Sequence, residues 1–243
     1  MAADVRYIGA QVSIFYHNAD VHVFDQDQMT DVVLGKYLPP VLFDGPDGYP
    51  VRAMISEHGN SQIIVTSSSI SLNASFSPRW QQQSELGRQY VGERVGLLFG
   101  IVSGLRATAL IYAGTTVETR ITSTLDDSDI ARAIEDVYGG RFGDRLTDLA
   151  VKASEVVDGN DYRNVTVHNF RSFAAGPQAP PQIKLENATA SERGVGVSVD
   201  YNSRYGYNEG RNAPVTPEDV SRIIDGAFSA SAEMSRRVAE RLT

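Results

Sequence analysis

The chain has 243 residues, of which 42% are hydrophobic and 21% charged, enough apolar material for a buried core and too much for wholesale disorder. It contains no cysteine, which excludes a disulfide framework, a thiol nucleophile and any cysteine-held metal. Twenty-two basic against 30 acidic residues leave a formal net charge of −8, the opposite of what a duplex-coating protein carries.

Residues 5–16, rich in β-branched and aromatic side chains, read as a strand. Residues 24–37 place Met29, Val32 and Val33 at near-helical spacing, and Pro39-Pro40 ends that helix. A short apolar piece, 41–43, leads into the turn cluster 44–48. Strands are expected over 51–58, 62–67 and 69–77, with Gly59-Asn60 as the tight turn between the first two. Ser77-Pro78 then opens a helix reaching 105, with Trp80, Leu86, Tyr90, Val91, Leu98, Ile101 and Leu105 along its apolar side.

The second half repeats the layout. Residues 106–121 read as a long strand, and 125–138 as a short helix with Ile130, Ile134 and Val137 on one face, closed by Gly139-Gly140. Residues 146–157 and 162–173 form a hairpin across 158–161, and the Pro-rich stretch 176–181 is a connector. Val195, Val197, Val199 and Tyr201 alternate as in a strand, and Thr216-Pro217 starts a C-terminal helix carrying Val220, Ile224, Ala227, Phe228, Val238 and Leu242. The fold class is therefore α+β: antiparallel sheet with two long helices on one face, in a duplicated β-α-β-β-β-α layout over 1–105 and 106–243. One continuous domain whose elements fall in that order is the other reading.

Gly92, Gly96, Gly100 and Gly104 recur every four residues inside the first long helix. Each interior glycine costs roughly 0.8–1 kcal/mol against alanine, so the spacing needs an offsetting role. It flattens one helical ridge so that another backbone can approach. Ala227, Ser231, Ser235 and Ala239 form a second small-residue ridge on the last helix. The two ridges are candidate interface residues, within one chain or between subunits. The plainer reading is that glycine makes room for bulky residues on the sheet below.

Catalytic motifs are missing. Residues 194–198 are too short a match to G-x-G-x-x-G, and Gly100-Ile-Val-Ser-Gly104 has its serine one place off the nucleophile elbow. His17 and His22 with Asp20 and Asp25 could gather a metal, but a solvated turn is the commoner use of such residues, and no metal or cofactor is expected. Glu57 and His58 fall on a predicted strand and point to opposite faces. A contact surface is better supported: Tyr201, Arg204, Tyr205, Tyr207, Asn208 and Arg211 lie in one segment, and tyrosine and arginine dominate binding hot spots. An ordering loop whose tyrosines lid the core is the alternative.

The start of the chain lacks the basic and apolar regions of a secretory signal, and the most apolar run, 95–105, is too short to span a bilayer. A cytoplasmic protein is expected. The duplicated layout resembles TATA-box-binding-protein-like saddles and their helix-grip relatives. Ser69-Ile-Ser-Leu-Asn73, Leu105-Arg-Ala-Thr-Ala109 and Val197-Ser-Val-Asp200 are similar to a sporadically distributed bacterial family without assigned activity. The saddle resemblance implies nucleic-acid binding, which the few basic residues on these strands and the acidic chain disfavour. The expected function is a non-enzymatic binding or assembly protein of bacterial or phage type. It would self-associate through its small-residue helix faces and take a protein partner or a second copy of itself. The alternative is a small-ligand-binding or hydrolytic domain with a groove between sheet and long helix.

Overall fold

The computed structural model describes residues 4–17, 41–44, 50–104, 109–143, 146–173, 190–211 and 213–242. The expected helix at 24–37, most of the turn 44–48, the connector 176–181 and the metal candidates Asp20, His22 and Asp25 lie outside these residues.

Period-two burial marks the strands. Along β1 (Asp4–Tyr16), Ala10, Val12, Ile14 and Tyr16 are buried, while Gln11 between them is exposed. The chain continues with β2 (Val41–Asp44), β3 (Pro50–Ser56), β4 (Gly59–Val65) and β5 (Ser69–Phe76). Helices α1 (Pro78–Gln81), α2 (Ser84–Glu93) and α3 (Val95–Gly104) follow. The second half holds β6 (Leu110–Thr122), α4 (Asp127–Tyr138), β7 (Ala150–Val157), β8 (Asp161–Ser172), β9 (Glu192–Asn202), α5 (Arg204–Asn208) and α6 (Pro217–Ala239).

All nine strands join one antiparallel sheet in the order β2-β3-β4-β5-β1-β6-β9-β8-β7. The α+β class and the antiparallel sheet thus hold. The order is a mirror image about the β1–β6 pair. In each half the first strand lies at the centre, the last strand beside it, and the earlier ones run out to the edge, with β2 as an extra strand on one side. α1 and α2 pack on β1 and β5, α3 packs on β5 and α6, and α6 packs across β6, β9 and β1.

Local chemistry sets the helix ends. Asp126 caps α4 by accepting from the Asp129 N–H at 2.9 Å, and Gly139 closes it in the left-handed conformation. Thr216 and Asp219 form a capping box at the start of α6, with Pro217 in the first turn. The single helix expected over 77–105 is instead three pieces. Gln83 leaves helical geometry, with φ −132° and ψ 84°, and Arg94 separates α2 from α3. Arg94 folds its buried guanidinium back, donating to the Tyr90 carbonyl at 2.8 Å and lying 3.4 Å from the Tyr90 ring centroid. The β3–β4 turn also falls earlier than expected, at Glu57-His58. Gly59 sits in β4 with φ +123°, where a Cβ would come 2.2 Å from the Ser75 carbonyl oxygen.

The core has two clusters. One joins β1, β4 and β5 to α2, α3 and the first half of α6; the other joins β6, β8 and β9 to α4 and the second half of α6. The small ridge of α6 belongs to this packing. Ala227, Ser231 and Ser235 are fully buried, and Ser235 shares a 2.8 Å hydrogen bond with Thr119 of β6. Small side chains let the helix lie close on the sheet, so these three are occupied within the fold and do not form an exposed interface. Ala239 is half-buried beside the second cluster.

The glycine ladder looks the other way. Gly92 is half-buried, Gly96 and Gly100 are exposed, and no described atom lies within 4 Å of where a Cβ on Gly92 or Gly96 would sit. The two ridges therefore do not meet. Where α2 approaches α6, the contact is made by Gly87 close to Phe76 and Phe228, and by Arg88 bonded to Asp225 at 2.5 Å. Gly104 ends α3.

Candidate functional site

With the helices on one side, the opposite side of the sheet presents the alternate residues of every strand. Direct pairing places Gln62, Asn73, Gln11, Thr116, Asp200, Asn164 and Ser154 in one row across β4, β5, β1, β6, β9, β8 and β7. Paired antiparallel residues share a face, so all seven point the same way. The adjoining row reads Asn60, Ser75, Gly9, Glu118, Ser198, Thr166 and Lys152. Amides and hydroxyls dominate this open face, and the few charges are of both signs.

Two hollows lie on it. One, of about 250 Å³, is lined by Gln11, Ser13, Phe15, Tyr112, Gly114, Thr116, Asp200, Asn202 and Arg204. The other, of about 180 Å³, adjoins it through Gln11 and Thr116 and reaches Asn73, Ser75 and Glu118. An aromatic cluster bounds the first: Phe15 stacks on Tyr112 at 4.3 Å, and Tyr207 lies 5.8 Å from Tyr112. The Arg204 guanidinium lies 5.9 Å from the Tyr112 centroid. Burial pushes the Tyr112 phenol above its ordinary pKa, while Arg204 acts in the opposite direction.

Hydrogen bonds hold the polar lining in place. Asn164 and Asn202 each donate to Asp200 Oδ2 at 2.9 Å, and the Arg204 N–H donates to Asn202 Oδ1 at 3.2 Å. Gln11 donates to Ser13 Oγ at 3.2 Å, and Ser13 pairs with Ser71 at 2.8 Å.

The segment expected to make contacts is divided by the fold. Tyr201 lies on the helix side, 7% exposed, with its ring where a Cβ on Gly226 would come within 2.9 Å. It is a core residue and not a binding one, because strand alternation turns it inward with Val195, Val197 and Val199. The remainder is ordered as α5 and the turn after it. Arg204 and Tyr207 join the Tyr112 cluster, and Tyr205 meets Tyr162 edge-on at 5.2 Å. Asn208 is exposed, and Arg211 donates to the Gly159 carbonyl at 2.6 Å.

Phe15, Tyr112, Gln11, Thr116 and Asp200 were not singled out from sequence. Their signal was present as polar residues alternating with apolar ones, but period two does not say which outward faces a sheet will join.

A Ser–His contact exists elsewhere. His58 Nδ1 is hydrogen-bonded to Ser56 Oγ at the β3–β4 turn. The ring is 1% exposed, stacks on Tyr90 at 4.0 Å, and its Nε2 has no partner among the described residues. Burial, and then Arg94, lower its pKa to about 4. Such a group is a poor base at neutral pH, and no carboxylate among the described residues is hydrogen-bonded to it. Among the described residues no three His, Asp or Glu converge as metal ligands, and no helix is long and apolar enough to cross a membrane. No family model and no curated protein matches the chain.

Proposed function

We propose that the chain is a non-catalytic binding protein that meets its ligand through the open face of the sheet. The row of amides and hydroxyls across seven strands, with hollows sunk into it, carries this reading. The mirrored strand order is compatible with the resemblance to saddle folds, but the mixed charges of this face do not form the positive strip that phosphates require. The alternative reading needs a groove between sheet and long helix: α6 closes it where Ser235 bonds Thr119 of β6, while a hollow of about 230 Å³ lies beside the first turns of α6, lined by Ile111, Tyr207, Asp219 and Arg222. A screen of small molecules and peptides by ligand-induced rise in melting temperature tests the proposal. Thr116→Arg, which crowds both hollows, should abolish the shifts. Hits that survive it place binding elsewhere.

Self-association through the glycine ridge is a second reading, favoured by the open space beside Gly92 and Gly96. It expects a sedimenting dimer that Gly96→Leu converts to monomer without unfolding. A monomeric parent removes it.

A further inference from the structure

The larger hollow combines four features that together specify a ligand chemistry. First, Asp200 is a carboxylate fixed in orientation by two amide donors on Oδ2, which leaves Oδ1 without a partner among the described residues. Second, Arg204 is exposed and makes no ion pair among the described residues, so its guanidinium stays available at the far end. Third, Gly114 forms the floor. A Cβ there would stand 3.0 Å from Asn202 Cβ and 3.7 Å from Asp200 Oδ1, so the missing side chain is what opens the hollow. Fourth, the stacked Phe15 and Tyr112 rings give an apolar wall beside these polar groups.

The charges of the lining balance, one carboxylate against one guanidinium, so neither an anion nor a cation is favoured as such. The lining atoms without a hydrogen-bond partner among the described residues are of both kinds: Asp200 Oδ1 and Gln11 Oε1 accept, Arg204 donates, and the Thr116 hydroxyl does either. A hydroxyl group is itself both donor and acceptor, and a ring carrying several would satisfy this set while its C–H face packs against the aromatic wall. We propose, resting on the open face being the binding face, that this hollow binds a neutral polyhydroxylated ligand, a pyranose ring. The adjoining hollow, reached past Gln11 and Thr116 toward Asn73, Ser75 and Glu118, takes a second ring of the same chain.

Saturation-transfer NMR and calorimetry with the full chain test this, using glucose, galactose, mannose, N-acetylglucosamine and their β- and α-linked disaccharides. Free amino acids and inorganic phosphate serve as comparison probes. The expected result is binding of at least one neutral saccharide, tighter for a disaccharide than for its monosaccharide. Asp200→Asn keeps an oxygen for Asn164 and Asn202 but turns a donor into the hollow; it should weaken binding tenfold or more with the melting temperature retained. Gly114→Leu should abolish binding, and Thr116→Val offers a gentler loss should that chain fail to fold. No response from any saccharide at about 10 mM, beyond the millimolar range of weak sites, overturns the proposal. So does saccharide binding indifferent to Asp200→Asn and Thr116→Val. Amino acids or phosphate binding in place of sugars, and lost in Asp200→Asn or Thr116→Val, would overturn the ligand class and leave the open-face reading standing.

Discussion

His58 shows how one side chain can report on the acid stability of the whole first half. Its ring lies between Tyr90 and Trp80 with Arg94 close by, so a proton on it is disfavoured by burial and then by like charge. Folded, its pKa is about 4, below the ordinary 6.5. The unfolded chain therefore binds the proton more readily between those values. The stability this residue contributes is complete above pH 6.5, is lost as pH falls toward 4, and changes no further below. The expected loss is roughly 1–3 kcal/mol, read from urea unfolding at successive pH values. His58→Phe, which keeps the stack and removes the titration, should flatten that part of the profile relative to the parent. Parallel profiles would show that the ring does not carry the effect. Sequence placed this residue on a strand, because the positive φ that forces Gly59 past the turn is a backbone property that composition does not reveal.

At the scale of elements, strands were more legible than helices. β1, β5, β6 and β8 lie within a few residues of the expected strands, and Thr216-Pro217 opens α6 as expected, whereas the Asp126 cap of α4 emerges from the structure. The first long helix reads as continuous because apolar spacing persists across Gln83 and Arg94, and the breaks there show only in the backbone angles of Gln83 and the Arg94 guanidinium folded onto Tyr90. The small-residue ridges were seen but not their directions, since an i, i+4 row looks the same whether it faces a sheet or solvent. The two ridges now make opposite predictions. Ser231 is fully buried on the sheet and its hydroxyl has no partner among the described residues, so Ser231→Ala should be neutral or stabilising and Ser231→Leu should cost about 1–3 kcal/mol. Gly96 is exposed in a helix with open space beside it, and Gly96→Ala should stabilise by about 0.5–1 kcal/mol. Chemical denaturation of the three variants checks the signs, and a destabilising Gly96→Ala would mean the ridge is already in contact.

For the molecule as a whole, the repeated layout read from sequence left open the strand order and whether one sheet or two would form. The pairing of β1 with β6 at the centre of the sheet was not legible either, because sequence order says nothing of which strands meet over a separation of more than a hundred residues. The open face was hidden for the same reason: its row of polar residues exists only after seven strands have aligned in register. One helix, α6, supplies Ile223, Ile224 and Phe228 to one core cluster and Ala230 and Val238 to the other. Unfolding should accordingly be one cooperative transition, with fluorescence of Trp80 and far-ultraviolet circular dichroism coincident. Two separated transitions would mean that the halves are held independently. A chain ending before Thr216 should lose the native fold altogether.

The position of β1 also dictates an order of events during synthesis. β1 has β5 for one neighbour, but its other edge waits for β6, which begins at Leu110. Helices α2, α3 and α4 cover part of the two clusters, but the rest of their apolar surface waits for α6, starting at Pro217, to leave the ribosome. A nascent chain thus carries an unpaired central strand edge until β6 emerges, and an unsealed core until α6 does. Both are surfaces on which chains of one polysome can pair with each other.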